Sequence, residues 1–233
     1  MAIRDQQHPL MNPQKIITSF LAFTLVFCSI TQPLSAANFG KFTYTVDGNS
    51  ITITDYPPNA TGALTIPSTI EGKRVTRIGP SAFKFCGGLT AINLPNDITH
   101  IGNHAFELCK GLENFTIPDR VHKIGDSVFA GCYGLKNIAI PNHVTSIGND
   151  AFYFCEHLTK VTIPGNVTQI GNAAFGHCGK LTSITFKGNA PATGSSVFIY
   201  ASSLLKIHYY KGKLGFTTRN WKRYSMVRIN GKP

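Results

Sequence analysis

The fold of this chain is decided by the stretch from Leu89 to Ser203, which repeats one pattern five times with a period of 23 residues. The copies read LTAINLPNDITHIGNHAFELCKG, LENFTIPDRVHKIGDSVFAGCYG, LKNIAIPNHVTSIGNDAFYFCEH, LTKVTIPGNVTQIGNAAFGHCGK and LTSITFKGNAPATGSSVFIYASS. The apolar positions that recur are, in the first copy, Leu89, Ile92, Leu94, Ile98, Ile101, Ala105, Phe106 and Cys109. One copy has too few apolar residues to close a core, so each must bury its face against the next. The stretch therefore predicts a solenoid.

Each copy joins a leading L-x-x-I-x-I to a second half that reads I-G-x-x-A-F-x-x-C. This combination resembles the BspA-like leucine-rich repeats of secreted and cell-surface proteins, and the resemblance holds column by column from Leu64 to Ala201. It implies a leucine-rich repeat solenoid, a right-curving stack of coils used for binding. It also implies that the chain has no catalytic residues and needs no cofactor.

Residues 1–37 have the features of a signal peptide. Arg4 and Lys15 supply positive charge before Ile16–Ile30, a run of 15 residues without a charge, and Ser35-Ala36-Ala37 offers the small residues that a signal peptidase reads. The alternative is an uncleaved membrane anchor, but such a run at ~1.5 Å per residue spans only ~22 Å, short of the ~30 Å hydrocarbon core. We therefore expect a secreted or cell-surface protein without an integral membrane span after cleavage.

Residues 38–63 are predicted to form an N-terminal β cap. Apolar residues alternate with threonine from Phe42 to Val46, Asp47-Gly48 interrupts the alternation, and it resumes at Ile51. This pattern is typical of a β-hairpin with an Asp-Gly turn. The hairpin would cover the apolar end of the first coil, which would otherwise face water.

Residues 64–203 are predicted to hold the repeats, each with a short strand followed by a turn or a short helix. The first copy is longer, with five extra residues around Ile70 to Arg74 that must bulge from one edge. The proline after each strand cannot donate to a ladder and stops the strand. The glycine column indicates either a positive φ or a close backbone approach. The phenylalanine column, from Phe83 to Phe198, is expected to stack six rings as the spine of the core.

Residues 204–233 are predicted to form a basic, aromatic C-terminal cap. The segment contains eight of the cations behind the chain's net charge of +11, and no acid. The run G-F-T-T-x-x-W-x-x-Y from Gly215 to Tyr224 resembles the C-terminal caps of BspA-like proteins. We expect Trp221 and its neighbouring aromatic residues to cover the last coil, a task that does not need the cations.

Cysteine and histidine are the residues of this chain that most often carry chemistry. Five cysteines, from Cys86 to Cys178, are 23 residues apart, a spacing that favours a buried column of small side chains over metal binding, disulfides or a nucleophile. Seven histidines after the signal segment fall in different columns of the repeat and are expected to be scattered on the surface. With no motif for a nucleophile elbow, a phosphate loop or a zinc protease, we predict no enzyme and no metal.

The outward columns of the strands are small, polar and nearly flat, and they lack the aromatic anchors of a tight interface. The first hypothesis is a secreted, non-enzymatic and monomeric binding module for an extracellular protein or glycan. The second is a polyanion binder that holds nucleic acid or acidic polysaccharide through the basic tail. The candidate partner-binding residues are Lys136, Lys160, Lys211, Lys213, Lys222 and Arg223.

Overall fold

The computed structural model describes residues 36–218, 221 and 223–232, which belong to one compact unit, Leu34–Pro233. The predicted signal peptide lies outside the described residues except for its last two positions. Within the described part of the chain, no helix has the length and apolar character needed to cross a bilayer.

The described residues form a β-solenoid of short strands joined by turns. The strands, in chain order, are β1 (Ala37–Phe39), β2 (Phe42–Asp47), β3 (Ser50–Asp55), β4 (Thr61–Thr65), β5 (Thr69–Ile70), β6 (Lys73–Ile78), β7 (Gly88–Asn93), β8 (His100–Ile101), β9 (Asn114–Thr116), β10 (Lys123–Ile124), β11 (Asn137–Ala139), β12 (Ser146–Ile147), β13 (Lys160–Ile163), β14 (Gln169–Ile170), β15 (Ser183–Phe186), β16 (Ala192–Thr193), β17 (Lys206–Tyr210) and β18 (Ser225–Ile229). The repeats contain a turn where the sequence left a short helix open, and the predicted solenoid is confirmed.

Each coil contributes a strand to two separate stacks. In the first stack β4, β7, β9 and β11 are parallel neighbours, and β13, β15, β17 and β18 follow in the same way. In the second stack β10, β12, β14 and β16 pair in parallel. The register advances by one repeat per rung, as between Ile147 and Ile170. Neighbouring strands place equivalent residues ~4.8 Å apart, so each sequence column becomes a row of side chains.

The predicted N-terminal hairpin is confirmed, but its turn lies one residue later than expected. Asp47 pairs with Ser50, so the turn residues are Gly48 and Asn49. Gly48 has a φ of 58°, the positive value that the first residue of a two-residue hairpin turn requires. The hairpin joins the second stack through a parallel pairing of β3 with β6, and β1 adds an outer antiparallel strand. The insertion in the first copy forms a second, smaller hairpin of β5 and β6.

The turn segment after each glycine is held by hydrogen bonds that alternate in direction. Phe106 donates its N–H to the carbonyl of Val128 in the next coil, at 3.0 Å, whereas Ala105 and Glu107 donate to carbonyls three residues back in their own coil. This alternation requires the left-handed conformation at two positions per coil, with φ between 47° and 70°. Those positions are Ser81, His104, Ser127, Asp150, Ala173 and Ser196, and Phe85, Leu108, Gly131, Phe154, His177 and Tyr200.

The glycine that recurs once per repeat reflects the close approach of neighbouring backbones and not a positive φ. A Cβ atom on Gly148 would lie 2.6 Å from the carbonyl carbon of Gly125, and one on Gly171 would lie 2.5 Å from that of Gly148. None of the six glycines in this column has a left-handed φ. The coils therefore touch backbone to backbone at this column, which leaves no room for a side chain.

The phenylalanine column forms the predicted spine. Six rings stack with centroids 5.1 to 5.8 Å apart and interplanar angles of 8° to 23°. The rings are fully buried from Phe83 to Phe175, and Phe198 at the end of the row is 6% exposed. The prediction of an inward row of rings is confirmed.

The cysteine column is buried and unpaired as expected, but its thiols also donate hydrogen bonds. Sγ of Cys132 donates to the carbonyl of Phe106 at 3.2 Å, and the same contact recurs in the neighbouring coils. Burial raises the pKa of Cys86 to about 11 and that of Cys178 to about 12. These thiols remain protonated at neutral pH, which opposes a role as nucleophile or metal ligand.

We expect Phe152→Ala to lower the free energy of unfolding by about 3 to 5 kcal/mol, because the ring has neighbours above and below and the coil cannot collapse around the hole. Denaturant unfolding measures the change. Phe85→Ala is the matched control, since that ring is 57% exposed. A loss below about 1 kcal/mol for Phe152→Ala would contradict the role of the spine.

We expect the folded protein to resist thiol labelling at mildly alkaline pH, where an ordinary thiol is partly ionised, because burial raises the cysteine pKa values. After denaturation without reductant, all five cysteines from Cys86 to Cys178 should react. Intact-mass spectrometry counts the labels. Two disulfides, or fast labelling of the native state, would overturn this account.

Candidate binding surfaces

The first surface is the strand face, formed by the outward side chains of the first stack of strands. Lys136 lies on it, and its Nζ is 2.8 Å from Oε2 of Glu113 on the preceding rung. Both side chains are 51% exposed, so the pair adds little stability, but it neutralises the charge of Lys136. Among the sequence candidates, this lysine is therefore the weakest centre for an anionic partner.

The C-terminal part of the strand face, β13, β15, β17 and β18, contains no acidic residue. Lys160 is in register with Ser183, which is in register with Lys206, so the two lysines lie two rungs or ~10 Å apart. Lys160 and Lys187 also line one shallow hollow of about 400 Å³ together with Asn137, Asn142 and Thr162. The structure therefore adds two lysines, 187 and 206, to the candidate at 160.

The cap places the remaining candidates in separate positions. Lys211 and Lys213 are in the turn after β17, where their backbone N–H groups donate to Ile229 and Tyr210. The Arg223 guanidinium lies 5.0 Å from the ring centre of Tyr224. Lys222 is outside the described residues. The structure therefore does not join the six candidates into one patch.

The cap aromatics pack against the last coil, as the sequence predicts. Trp221 and Phe216 are each 3% exposed and meet the Phe186 ring at centroid distances of 5.1 and 5.4 Å. Tyr224 meets Phe198, the last ring of the spine, edge to face at 5.1 Å. Their task is thus to close the apolar end of the stack, and five described cations of the cap, Lys206, Lys211, Arg223, Arg228 and Lys232, remain exposed.

The second surface is a groove along the second stack of strands, which we call the basic groove. It has a volume of about 860 Å³ and is lined by Thr99, His100, Asn103, Arg120, His122 and Lys123, with Ile101 and Gly125 at its base. Arg77 is in register with His100, and Lys123 is the residue one repeat later. Sequence analysis did not identify this groove, because its residues come from several columns of three copies.

The prediction of scattered histidines is wrong for one pair. His122 stacks on His143 of the next coil, with ring centres 6.0 Å apart at an angle of 29°. The two residues are two columns apart in the repeat, an offset that their side chains cross between adjacent rungs.

The pKa of His100, which lies in the basic groove, is lowered. The main cause is burial, followed by the charge of Arg77 and then that of His122. No three His, Cys, Asp or Glu side chains in residues 36–218, 221 and 223–232 come together as metal ligands would.

A ladder of side-chain caps runs beside the groove and was also missed. The Oδ1 atoms of Asn103, Asp126, Asn149 and Asn172 accept the backbone N–H of the equivalent residue in the next coil, at 2.7 to 3.0 Å. The signal was present in the sequence as a column of Asn and Asp directly after the glycine column. Each cap fixes the spacing between two coils at the edge of the groove.

Aromatic side chains also line the turn edge, away from the strand face. Phe154 stacks on His177 at 4.3 Å, and His177 meets Tyr200 at 4.7 Å and Tyr153 at 5.0 Å. Tyr200 is 73% exposed. The sequence reading considered only the strand face, where aromatic anchors are lacking, and overlooked this row.

The comparisons with known proteins agree with this geometry. The chain matches the family described as BspA type Leucine rich repeat region, in six copies over residues 66–212. It is similar to the solved leucine-rich repeat protein of T. pallidum, with a TM-score of 0.63 and 28% identity over 71% of this chain and 89% of that one. It also shares its fold with a leucine-rich repeat protein from Bacteroides ovatus, with a TM-score of 0.54 and 22% identity over 83% of this chain and 76% of that one.

The comparison with curated proteins finds no significant match. The family match, over residues 66–212, covers more than half of the chain. On these grounds the protein belongs to the BspA-type leucine-rich repeat family.

Proposed function

We propose that this protein is a secreted or cell-surface, non-enzymatic binding module that presents its strand face to an extracellular protein or glycan. The observation that carries the proposal is the C-terminal part of the strand face, whose four strands contain Lys160 and Lys206 and no acid, with Lys187 directly after β15. Repeat proteins use extended surfaces of this kind for binding. Buried, protonated thiols support the non-enzymatic part of the proposal.

The proposed location rests on the signal features of residues 1–37 and on the family. The signal features, followed by a stack of BspA-type repeats, support a binding surface outside the cytoplasm. The shallow hollow beside Lys160 has amide and hydroxyl groups from Asn137, Asn142 and Thr162, which suit a polar partner. We therefore favour a partner with hydroxyl, amide or carboxylate groups over an apolar one.

The second candidate function is polyanion binding through the cap. It is favoured by the composition of residues 204–233, in which eight cations occur without an acid. Exposed Lys211 and Arg228 are among the described ones. A positive segment of this kind attracts phosphate, sulfate or carboxylate polymers at low salt.

We expect the triple variant Lys160→Glu, Lys187→Glu and Lys206→Glu to weaken binding of residues 38–233 to its extracellular partner by about tenfold or more, since like charges at an interface cost several kcal/mol. Glycan arrays and immobilised matrix proteins identify the partner, and biolayer interferometry measures the affinity. The variant Lys41→Glu, Lys110→Glu and Lys180→Glu, at three exposed turn lysines, is the control for the same change of net charge. Equal affinity of triple variant and parent would remove the strand face as the site.

For the second candidate, replacing Lys211, Lys213, Lys222 and Arg223 with Gln should keep the fold and lower the affinity for heparin or DNA. The salt dependence of binding should also become flatter, because fewer counterions are released. Elution from a heparin column over a salt gradient gives both readings. Unchanged retention would show that the tail acts only as a cap.

A further inference from the structure

The basic groove holds three basic side chains in one column. Arg77, His100 and Lys123 occupy consecutive rungs, so their backbones are ~4.8 Å apart and their exposed side chains point the same way. The two cations of the column, Arg77 and Lys123, thus lie on either side of the His100 ring. The nearby Asp97 is 3.3 Å from Arg120 and 3.9 Å from Arg74. This acid pairs with cations outside the column.

The described residues that line the groove include basic side chains and no acid. Asp97 pairs with Arg120, much as Glu113 pairs with Lys136, so the charge available to an anion comes from Lys123 and from Arg77 on the same column. A bound anion would be attracted to both cations at once. Charge complementarity therefore points to an anionic occupant.

The groove continues into a neutral hollow of about 430 Å³ along the same stack. Its side chains are amides and hydroxyls, among them Ser146, Gln169 and Asn149, and it shares Asn103 and Lys123 with the basic groove. Asp126 is its one acid among the described residues, and that carboxylate already accepts the backbone N–H of Asn149. A chain molecule lying along the stack would meet cations first and neutral hydrogen-bonding groups next.

This arrangement, cations followed by neutral hydrogen-bonding groups, favours an acidic polysaccharide over a nucleic acid. Sugar hydroxyls can exchange hydrogen bonds with the amides and hydroxyls of the neutral hollow. Bases need aromatic platforms for stacking, and no Phe, Tyr or Trp is among the described residues that line either hollow. The groove therefore fits a sugar polymer with carboxylate or sulfate groups better than it fits DNA or RNA.

We propose that the groove from Arg77 to Gln169 along the second stack is a binding site for an acidic polysaccharide, with Arg77 and Lys123 holding its carboxylate or sulfate groups and His100 joining them as the pH falls. The proposal rests on the proposed function as an extracellular binding module and names the partner class. It adds a separate site for acidic glycans on the second stack, beside the strand face.

The histidines make this site sensitive to pH. Nδ1 of His122 donates to the carbonyl of Arg120 at 2.9 Å, and Nδ1 of His100 lies 2.8 Å from Oγ1 of Thr99. The charged and titratable groups around the two rings are Arg77, Asp97, Arg120, Lys123, Asp126 and His143. Cations outnumber acids there, and burial with Arg77 lowers the pKa of His100, so this ring is neutral at pH 7. A bound anion favours the charged ring, so binding takes up protons and tightens as the pH falls.

The experiment measures binding of the full chain to immobilised polygalacturonate and heparin, with dextran and duplex DNA as comparison ligands. Affinity for both acidic polymers should rise about tenfold from about pH 7.5 to about pH 5.5 at constant salt, the change expected from one or two added charge-assisted hydrogen bonds. Preference for polygalacturonate or heparin tells carboxylate from sulfate. Dextran should not bind.

Two variants and a matched control locate the site. Arg77→Gln with Lys123→Gln should lower the affinity about tenfold or more at both pH values. His100→Gln with His122→Gln should keep the affinity near neutral pH and abolish its rise on acidification. All four side chains are exposed, so the fold should survive, which circular dichroism checks. Lys211→Gln with Lys213→Gln removes the same charge from the cap. This pair should have little effect when the groove is the site, whereas polyanion binding through the cap predicts a loss of heparin affinity.

Three outcomes would overturn the inference. In the first, the cap pair lowers polysaccharide binding and the groove pairs do not. In the second, the pH effect persists in the histidine pair. In the third, DNA competes fully with the polysaccharide on the parent protein. Loss of partner binding only in the Lys160, Lys187 and Lys206 variant would reject this site and leave the proposed binding module intact, whereas absence of binding to every extracellular ligand would reject the module itself.

Discussion

The structure depends on one constraint, which is that the backbone of each coil must be satisfied by the coils on either side. Parallel pairing does this in the strands, but the turn segment between them has to alternate between bonds to its own coil and bonds to the next. Eleven non-glycine residues adopt a left-handed backbone to make this alternation possible. Each such residue costs of order 1 kcal/mol. The stacked rings and buried apolar columns must offset this cost, so the register of the rings and that of the backbone are set together.

The period of the sequence was enough to predict the features that repeat in every copy. The ring column, the thiol column and the strands of the first stack follow from it because burial acts in the same way on each rung. The left-handed positions were not predictable, because they hold Ser, His, Asp and Ala in one column and Phe, Leu, His and Tyr in the other. Only Gly131 shows the residue type that the conformation prefers.

The candidate sites were less predictable than the fold for a related reason. The contact of His122 with His143 depends on side chains that lean across rungs, and a reading by columns treats those residues as unrelated. The basic groove combines the row that starts at Arg77 with residues of two further columns. The column of Asn and Asp was readable, but its role became clear only when the backbone donors of the next coil were known. Predicting the surface sites of a solenoid therefore requires its three-dimensional structure, whereas its core can be predicted from the sequence period alone.

The bonds from thiol to phenylalanine carbonyl have a consequence for the proposed export of the chain. Until the coils stack, the five cysteines are ordinary exposed thiols, and an oxidising compartment can pair any two of them. Once the stack forms, Cys109 to Cys178 donate to carbonyls of neighbouring coils and are out of reach of oxidants. Folding and oxidation therefore compete in time, and a wrong disulfide between two copies would block the stack permanently. The contacts of a solenoid are local, which favours fast folding. Fast folding buries these cysteines before they are oxidised.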